Sequence, residues 1–193
     1  MLTAGPTRTT EKERGPDRRE LEGLLTRLAA GDRESLGGLY QRTRGAVYAL
    51  ALSILQDPQE AQDVTQDVFI RVWEKAPGYR AQGSPMAWIL TVTRNQALMA
   101  LRREGRQARL TEEEWNALPA PAPAVTPEDR ALLREALSVL GEEERQVVLL
   151  HAVSGLKHRE IAALLELPLA TVLSKYHRGL KKLRNKLEGG EVR

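Results

Sequence analysis

Apolar residues return at every third or fourth position through most of the chain, the period of helices with one buried face. Leu21, Leu24, Leu25 and Leu28 mark the first stripe. Asp17 precedes it with Glu20 three residues on, a pattern in which the Asp carboxylate accepts from free N–H groups of the first turn. Gly31 predicts its end. Asp32 reads as the next cap, before Leu36, Leu39, Tyr40, Val47, Leu50, Ala51 and Ile54. Gly37, Gly38 and Gly45 either weaken that helix or admit a close neighbour. Asp57-Pro58-Gln59-Glu60 is a stronger start, with Pro at the first helical position, and predicts a helix to about Ala76. Ser84-Pro85 repeats the device and predicts a helix to about Arg103, stopped by Gly105. No stretch alternates as a strand does.

The pattern breaks at Leu118 to Val125, where Pro alternates with Ala. Such a stretch is extended and semi-rigid, and joins no core. Beyond it, helices are predicted from Thr126-Pro127 through Leu140, from Glu142 to about Val153, from His158 to Leu165, and from Leu169 to about Leu187. The turn Glu166-Leu167-Pro168 makes the last two a helix-turn-helix pair. The fold class is therefore all-α: two small helical domains joined by a flexible Pro/Ala-rich linker. The predicted division is a disordered leader 1–16, a first lobe 17–105, a linker 106–125, a second lobe 126–188 and a tail 189–193.

Composition narrows the chemistry. With no Cys, disulfide scaffolds and thiolate metal sites are excluded. His151, His158 and His177 have no helical ligand pairing, so no metal and no cofactor is expected. No apolar run suits a signal peptide or a membrane span, which makes cytoplasmic placement without membrane insertion the expectation. There is no P-loop pattern and no plausible nucleophile–base set, so no enzyme activity is expected.

The net charge is only +3, so the location of charge matters more than its sum. On the last helix Val172, Tyr176, Leu180 and Leu183 recur at core spacing, and Phe69 and Trp73 are assigned to the first lobe's core. The last helix's other face carries Thr171, Ser174, Lys175, His177, Arg178, Lys181, Lys182 and Arg184. Acidic residues are scarce there before Glu188, and a one-sided basic helix suits the DNA major groove. Lys175 and Arg178, nearer its N-terminal half, are predicted to touch bases; Lys181 and Arg184 are predicted to touch phosphates. In the first lobe, Asp63, Gln66, Asp67, Ile70 and Glu74 form an acidic stripe with one apolar residue, either a solvated face or a docking face for a basic partner. Arg94, Asn95, Arg102 and Arg103 give a mainly basic polar face to the preceding lobe's last helix.

Two runs carry a resemblance. DVTQDVFIRVW, within Ala61 to Ala76, and REIAALL…LPLATVLSKYHRGLKKLR, within Leu156 to Arg184, resemble segments of the extracytoplasmic-function sigma factors of bacterial RNA polymerase. The likeness covers about Leu21 to Leu187. It implies that Asp63, Gln66, Asp67, Ile70 and Glu74 meet the clamp helices of the polymerase's largest subunit. It implies that Tyr79, Arg80, Ser84, Arg94, Asn95, Arg102 and Arg103 take hold of the downstream promoter element and separate its strands, with the loop Tyr79 to Ser84 capturing a base. It implies that Thr171, Leu173, Ser174, Lys175, His177, Arg178, Lys181 and Arg184 read the upstream element. The flap of the second-largest subunit and an anti-sigma factor are further implied partners. The chain departs from the family where Glu166 and Ala170 replace Gly, where Leu173 replaces a commonly basic residue, and where Met99 replaces a commonly acidic one. A stand-alone helix-turn-helix regulator and a helical nuclease are the rival readings. The first needs a pocket or acceptor site in residues 21–103, and the second needs clustered metal-binding carboxylates, for which the stripe around Asp63 is the candidate.

Overall fold

A computed structural model describes residues 16–104 and 138–188. The predicted leader, the linker with its Glu112 to Glu114, the tail and most of the helix predicted from Thr126 lie outside the described residues. The first lobe contains α1 (Arg18–Ala29), α2 (Glu34–Leu55), α3 (Pro58–Lys75), a 3-10 turn (Ala76–Gly78) and α4 (Pro85–Glu104). The second contains α5 (Glu142–Ala152), α6 (His158–Leu165) and α7 (Leu169–Glu188). No strand occurs among the described residues.

The starts follow from their caps. Asp17 accepts from the Arg19 N–H at 2.9 Å. Asp32 accepts from the Glu34 N–H at 3.0 Å and from the Ser35 hydroxyl. Asp57 accepts from the Glu60 N–H at 2.9 Å ahead of Pro58. Ser84 Oγ accepts from the Ala87 N–H at 3.3 Å. Each satisfies a donor that the helix cannot, a contribution of about 1 kcal/mol.

Helix α2 is the spine of the first lobe and packs on α1, α3 and α4. Leu21, Leu25, Leu39, Val47, Val68, Val72, Ile89 and Leu90 are fully enclosed between them. Each such Leu or Val contributes about 1.5–3 kcal/mol relative to exposure. A Cβ at Gly38 would lie 2.8 Å from Leu24 Cδ2, so a larger residue there would require the Leu24 side chain to shift.

In the second lobe α5 packs on α7, with α6 against both. Ile161, Ala162, Leu164 and Leu165 of α6 are buried. Val172 is buried and Tyr176 and Leu183 are partly so, but Leu180 is exposed, against its assignment to the core. Gly179 is buried in its stead. A Cβ there would lie 2.9 Å from Val148 Cγ2, so α5 and α7 are too close at this crossing for a larger residue. Trp73 is the other correction. Phe69 is buried and meets Tyr40 edge-to-face, whereas Trp73 is 42% exposed with the Arg33 guanidinium 5.1 Å from its ring centroid. Trp73 follows Val72 by one residue, about 100° around the helix, which carries it off the Val64–Val68–Val72 row onto the Ile70 side.

The two lobes touch. Small residues Ala46, Ala49 and Ser53 of α2 border a shallow gap whose other wall is Leu149 and Leu150 of α5 with Val153 just past its end. The buried cluster runs through both lobes, with Val147, Leu150, Leu156, Ile161 and Val172 joining the α1–α4 core.

Candidate functional site

Three surfaces carry the chemistry expected from the sequence. On α3, Asp63, Gln66, Asp67, Ile70 and Glu74 are all exposed on the side opposite the Val64–Val68–Val72 row. Ile70 is 55% exposed, and Trp73 stands one turn from it. The stripe is thus an apolar pair ringed by carboxylates and amides. Within the helix, Glu74 pairs with Arg71 at 2.7 Å, and Asp63 accepts from Gln59 Nε2 at 3.3 Å. Trp73 belongs to this surface, and its spacing from Ile70 was the available sign.

The second surface is the 79–84 loop and the outer side of α4. Tyr79 does not serve it as expected. Its side chain is 8% exposed, and its ring lies edge-to-face on Trp88 with centroids 5.2 Å apart. Enclosure pushes the Tyr79 phenol above its ordinary value. A ring held in the core has no face to offer a base, so Tyr79 anchors the loop instead. Ser84 is likewise engaged, as the cap of α4. Arg18 donates to the Gly83 carbonyl at 2.7 Å and ties the loop to α1. Arg80, Ala81 and Gln82 are left exposed. Along α4, Asn95, Met99, Arg102 and Arg103 are exposed in one row. Arg94 is different: its side chain is 22% exposed, and its guanidinium meets the Glu166 carboxylate of the second lobe at 3.3 Å.

The third surface is α7. Ser174, His177, Arg178, Lys181 and Arg184 are exposed, and Thr171 and Leu173 are half-buried beside them. Lys175 is drawn off this face. Its side chain is 16% exposed and its ammonium is paired with Glu143 of α5. Glu144, buried next to it, accepts from Lys182 at 2.7 Å and lies 3.8 Å from Arg178. The hydrogen bond from Lys182, with the Gly141 N–H and the two cations behind it, holds the Glu144 carboxyl below its ordinary value despite burial. The acidic first turn of α5 therefore neutralises one edge of α7. The exposed edge beyond them runs through His177, Lys181 and Arg184.

All three histidine neighbourhoods converge on Tyr176, which no spacing announced. The His151 and His158 rings stack with centroids 4.7 Å apart, Tyr176 meets both edge-on, and His177 adjoins it. His151 Nδ1 is 2.9 Å from the Leu156 carbonyl, while His158 Nε2 is enclosed without a partner. Burial first, then the charges that His151 and His177 would carry, hold the His158 imidazole below its ordinary value. Among the described residues no group of three or more His, Cys, Asp or Glu side chains is arranged to hold a metal ion.

Comparison with known proteins gives these surfaces a frame. Residues 39–107 match the family described as Sigma-70 region 2, and residues 130–183 match Sigma-70, region 4. The ECF RNA polymerase sigma factor SigK of Mycolicibacterium vanbaalenii is 32% identical over 173 residues, 86% of this chain and 88% of its own. The chain belongs to the extracytoplasmic-function sigma factors. The SigK protein of Mycobacterium tuberculosis is 31% identical over 183 residues, 90% of this chain and 98% of its own. Two solved structures share the fold. CnrH, in complex with the cytosolic domain of CnrY, has a TM-score of 0.64 at 22% identity, over 88% of this chain and 98% of its own. The sigma factor RpoE of Bartonella quintana, in complex with the anti-sigma factor NepR, has a TM-score of 0.63 at 22% identity, over 79% and 96%. The acidic–apolar stripe and the loop-plus-α4 surface of this sigma factor lie in its region 2 match. Helix α7 lies largely in its region 4 match. No helix among the described residues is long and apolar enough to cross a membrane.

Proposed function

We propose that this sigma factor divides its work between two unlike surfaces on separate lobes. The α3 stripe docks on the clamp helices of the polymerase's largest subunit, and α7 enters the DNA major groove at the upstream promoter element. The observation that carries this is the chemical opposition of the two faces. One is an exposed Ile70–Trp73 pair rimmed by Asp63, Gln66, Asp67 and Glu74; the other is a helix exposing Ser174, His177, Arg178, Lys181 and Arg184. A central apolar anchor with a charged rim is the arrangement of a protein-binding hot spot, with the carboxylates steering a basic partner. Cations along a helix suit phosphates, and Ser174 and His177 between them are placed for base edges.

Strand separation falls to Arg80 and to Arg94, Asn95, Arg102 and Arg103 of α4, which guide the single strand while the 79–84 loop takes a base. Tyr79 and Ser84 support that loop from within. Each lobe binds weakly alone; tethering makes the second contact effectively intramolecular once the first has formed. The second lobe also meets the flap of the second-largest subunit. Promoter opening draws on binding energy, with no catalysis by this chain. An anti-sigma factor controls the protein, a reading supported by the two similar structures, each a complex with such a partner or with a cytosolic domain.

The test is co-purification with core polymerase and transcription from a promoter library. The docking assignment requires Asp67→Arg with Glu74→Arg to lose polymerase while the far-ultraviolet circular dichroism stays helical. Undiminished co-purification would remove it.

A further inference from the structure

Glu166 stands in the turn between α6 and α7 with φ 58°, in the left-handed region that favours glycine. Its backbone N–H caps α6 through the Ala162 carbonyl, a task that glycine performs without strain. What glycine lacks is the carboxylate, and that group reaches Arg94, 72 residues away on α4. Arg94 is otherwise the one member of the α4 cationic set that is not exposed. The lobes also meet where the small-residue face of α2 packs on α5. Among the described residues the inter-lobe contact thus has an apolar part and the Arg94–Glu166 ion pair, and that pair engages a residue assigned to single-stranded DNA.

We propose that Glu166 is a latch. Paired with Arg94, it holds the two lobes closed in the free protein and keeps Arg94 from the DNA strand until promoter or polymerase contacts draw the lobes apart. This rests on the reading of Arg94 as a promoter contact. The mechanism is a two-state equilibrium in which only the open state offers Arg94, so apparent affinity is lowered by the fraction closed. The pair is partly exposed, so its weight in that equilibrium is about two- to five-fold. A weak latch of this size biases the resting state yet yields to any tighter contact.

The full chain suits a spectroscopic test, since it has no native Cys to remove. Spin labels on cysteines placed at the exposed positions Gln41 and Asn185 report the separation of the lobes without DNA or polymerase. Glu166→Gln should raise the open fraction about two- to five-fold. Glu166→Gly should do the same, and the charge swap Arg94→Glu with Glu166→Arg should restore the closed distance. Binding of a randomised DNA single strand should tighten in Glu166→Gln by the same factor, and adding Arg94→Ala should abolish that gain. An unchanged distance distribution in both Glu166 variants would overturn the latch. If the lobes open but Arg94→Ala leaves single-strand binding untouched, the latch stands and the promoter role of Arg94 falls.

Discussion

Helices α3 and α7 both present a row of functional side chains, but their surroundings treat those rows differently. On α3 the buried row Val64–Val68–Val72 turns every member of the acidic stripe outward, and Asp63 and Glu74 pair with Gln59 and Arg71 of α3 itself. On α7 a neighbouring helix intervenes. Glu143 and Glu144 of α5 pair with Lys175, Arg178 and Lys182, and His177, Lys181 and Arg184 form the exposed edge beyond them. Periodicity states which residues share a face. It does not state which charges a packed neighbour has already neutralised.

The largest effect expected from breaking this contrast is on α3. Ile70→Glu should weaken core polymerase binding by about 3 kcal/mol, about a hundredfold, because it puts a charge at the centre of the docking pair. Trp73→Ala should cost nearly as much. A competition titration against a second sigma factor would measure both, and a full loss for Ile70 with none for Trp73 would confine the anchor to one residue.

Next comes the crossing that brings α5 close enough to pair with α7. Gly179→Leu should destabilise the protein by about 1–3 kcal/mol, since its side chain would have to displace Val148. Gly37→Ala, with nothing within 4 Å of the added Cβ, should stabilise by about 0.5–1 kcal/mol. Urea melts of the two variants should therefore move in opposite directions.

A smaller effect separates the two edges of α7. Lys181→Ala should weaken binding to all upstream sequences alike, by about 1 kcal/mol, and lower the salt slope by about one unit. Lys175→Ala should leave the slope nearly unchanged, because Glu143 already occupies that ammonium. Equal slopes lost in the two variants would show that DNA strips Lys175 from Glu143.

The smallest effect is on acid sensitivity. His158 is held below the ordinary value of about 6.5, so the unfolded chain binds its proton more readily than the folded one. Stability from this group is complete above about pH 6.5 and declines as the pH falls toward the lower folded value, where the loss levels off. Glu144, held below about 4.5, should add a further loss in stronger acid. Thermal melts from pH 7.5 downward should show the first decline in the parent and not in His158→Gln.

Much of this architecture was legible in the residues. Asp17, Asp57 and Ser84 announce α1, α3 and α4 because a cap is a local interaction between a side chain and the next turn. The four buried leucines of α1 follow from spacing alone. The first lobe's acidic stripe was legible for the same reason. Tyr79 was not: the resemblance implied a promoter contact for it, and its enclosure depends on the packing against Trp88. Leu180 was misassigned because Gly179, seven residues after Val172, occupies the core register while looking too small to matter. Placement of Lys175 depends on Glu143, and the histidine stack depends on three separate helices. These are relations between elements, which no single stripe encodes.

The division of labour between the lobes is tested most directly by reconstituted transcription with purified core polymerase on a randomised promoter library. Transcripts should arise only when this chain is added, from templates sharing two elements at a fixed separation. Asp67→Arg with Glu74→Arg should abolish them all, whereas substitutions at His177 should shift only the upstream element. If the chain bound duplex DNA yet produced no polymerase-dependent transcript, or if the α3 variant transcribed normally, the two-surface assignment would be contradicted.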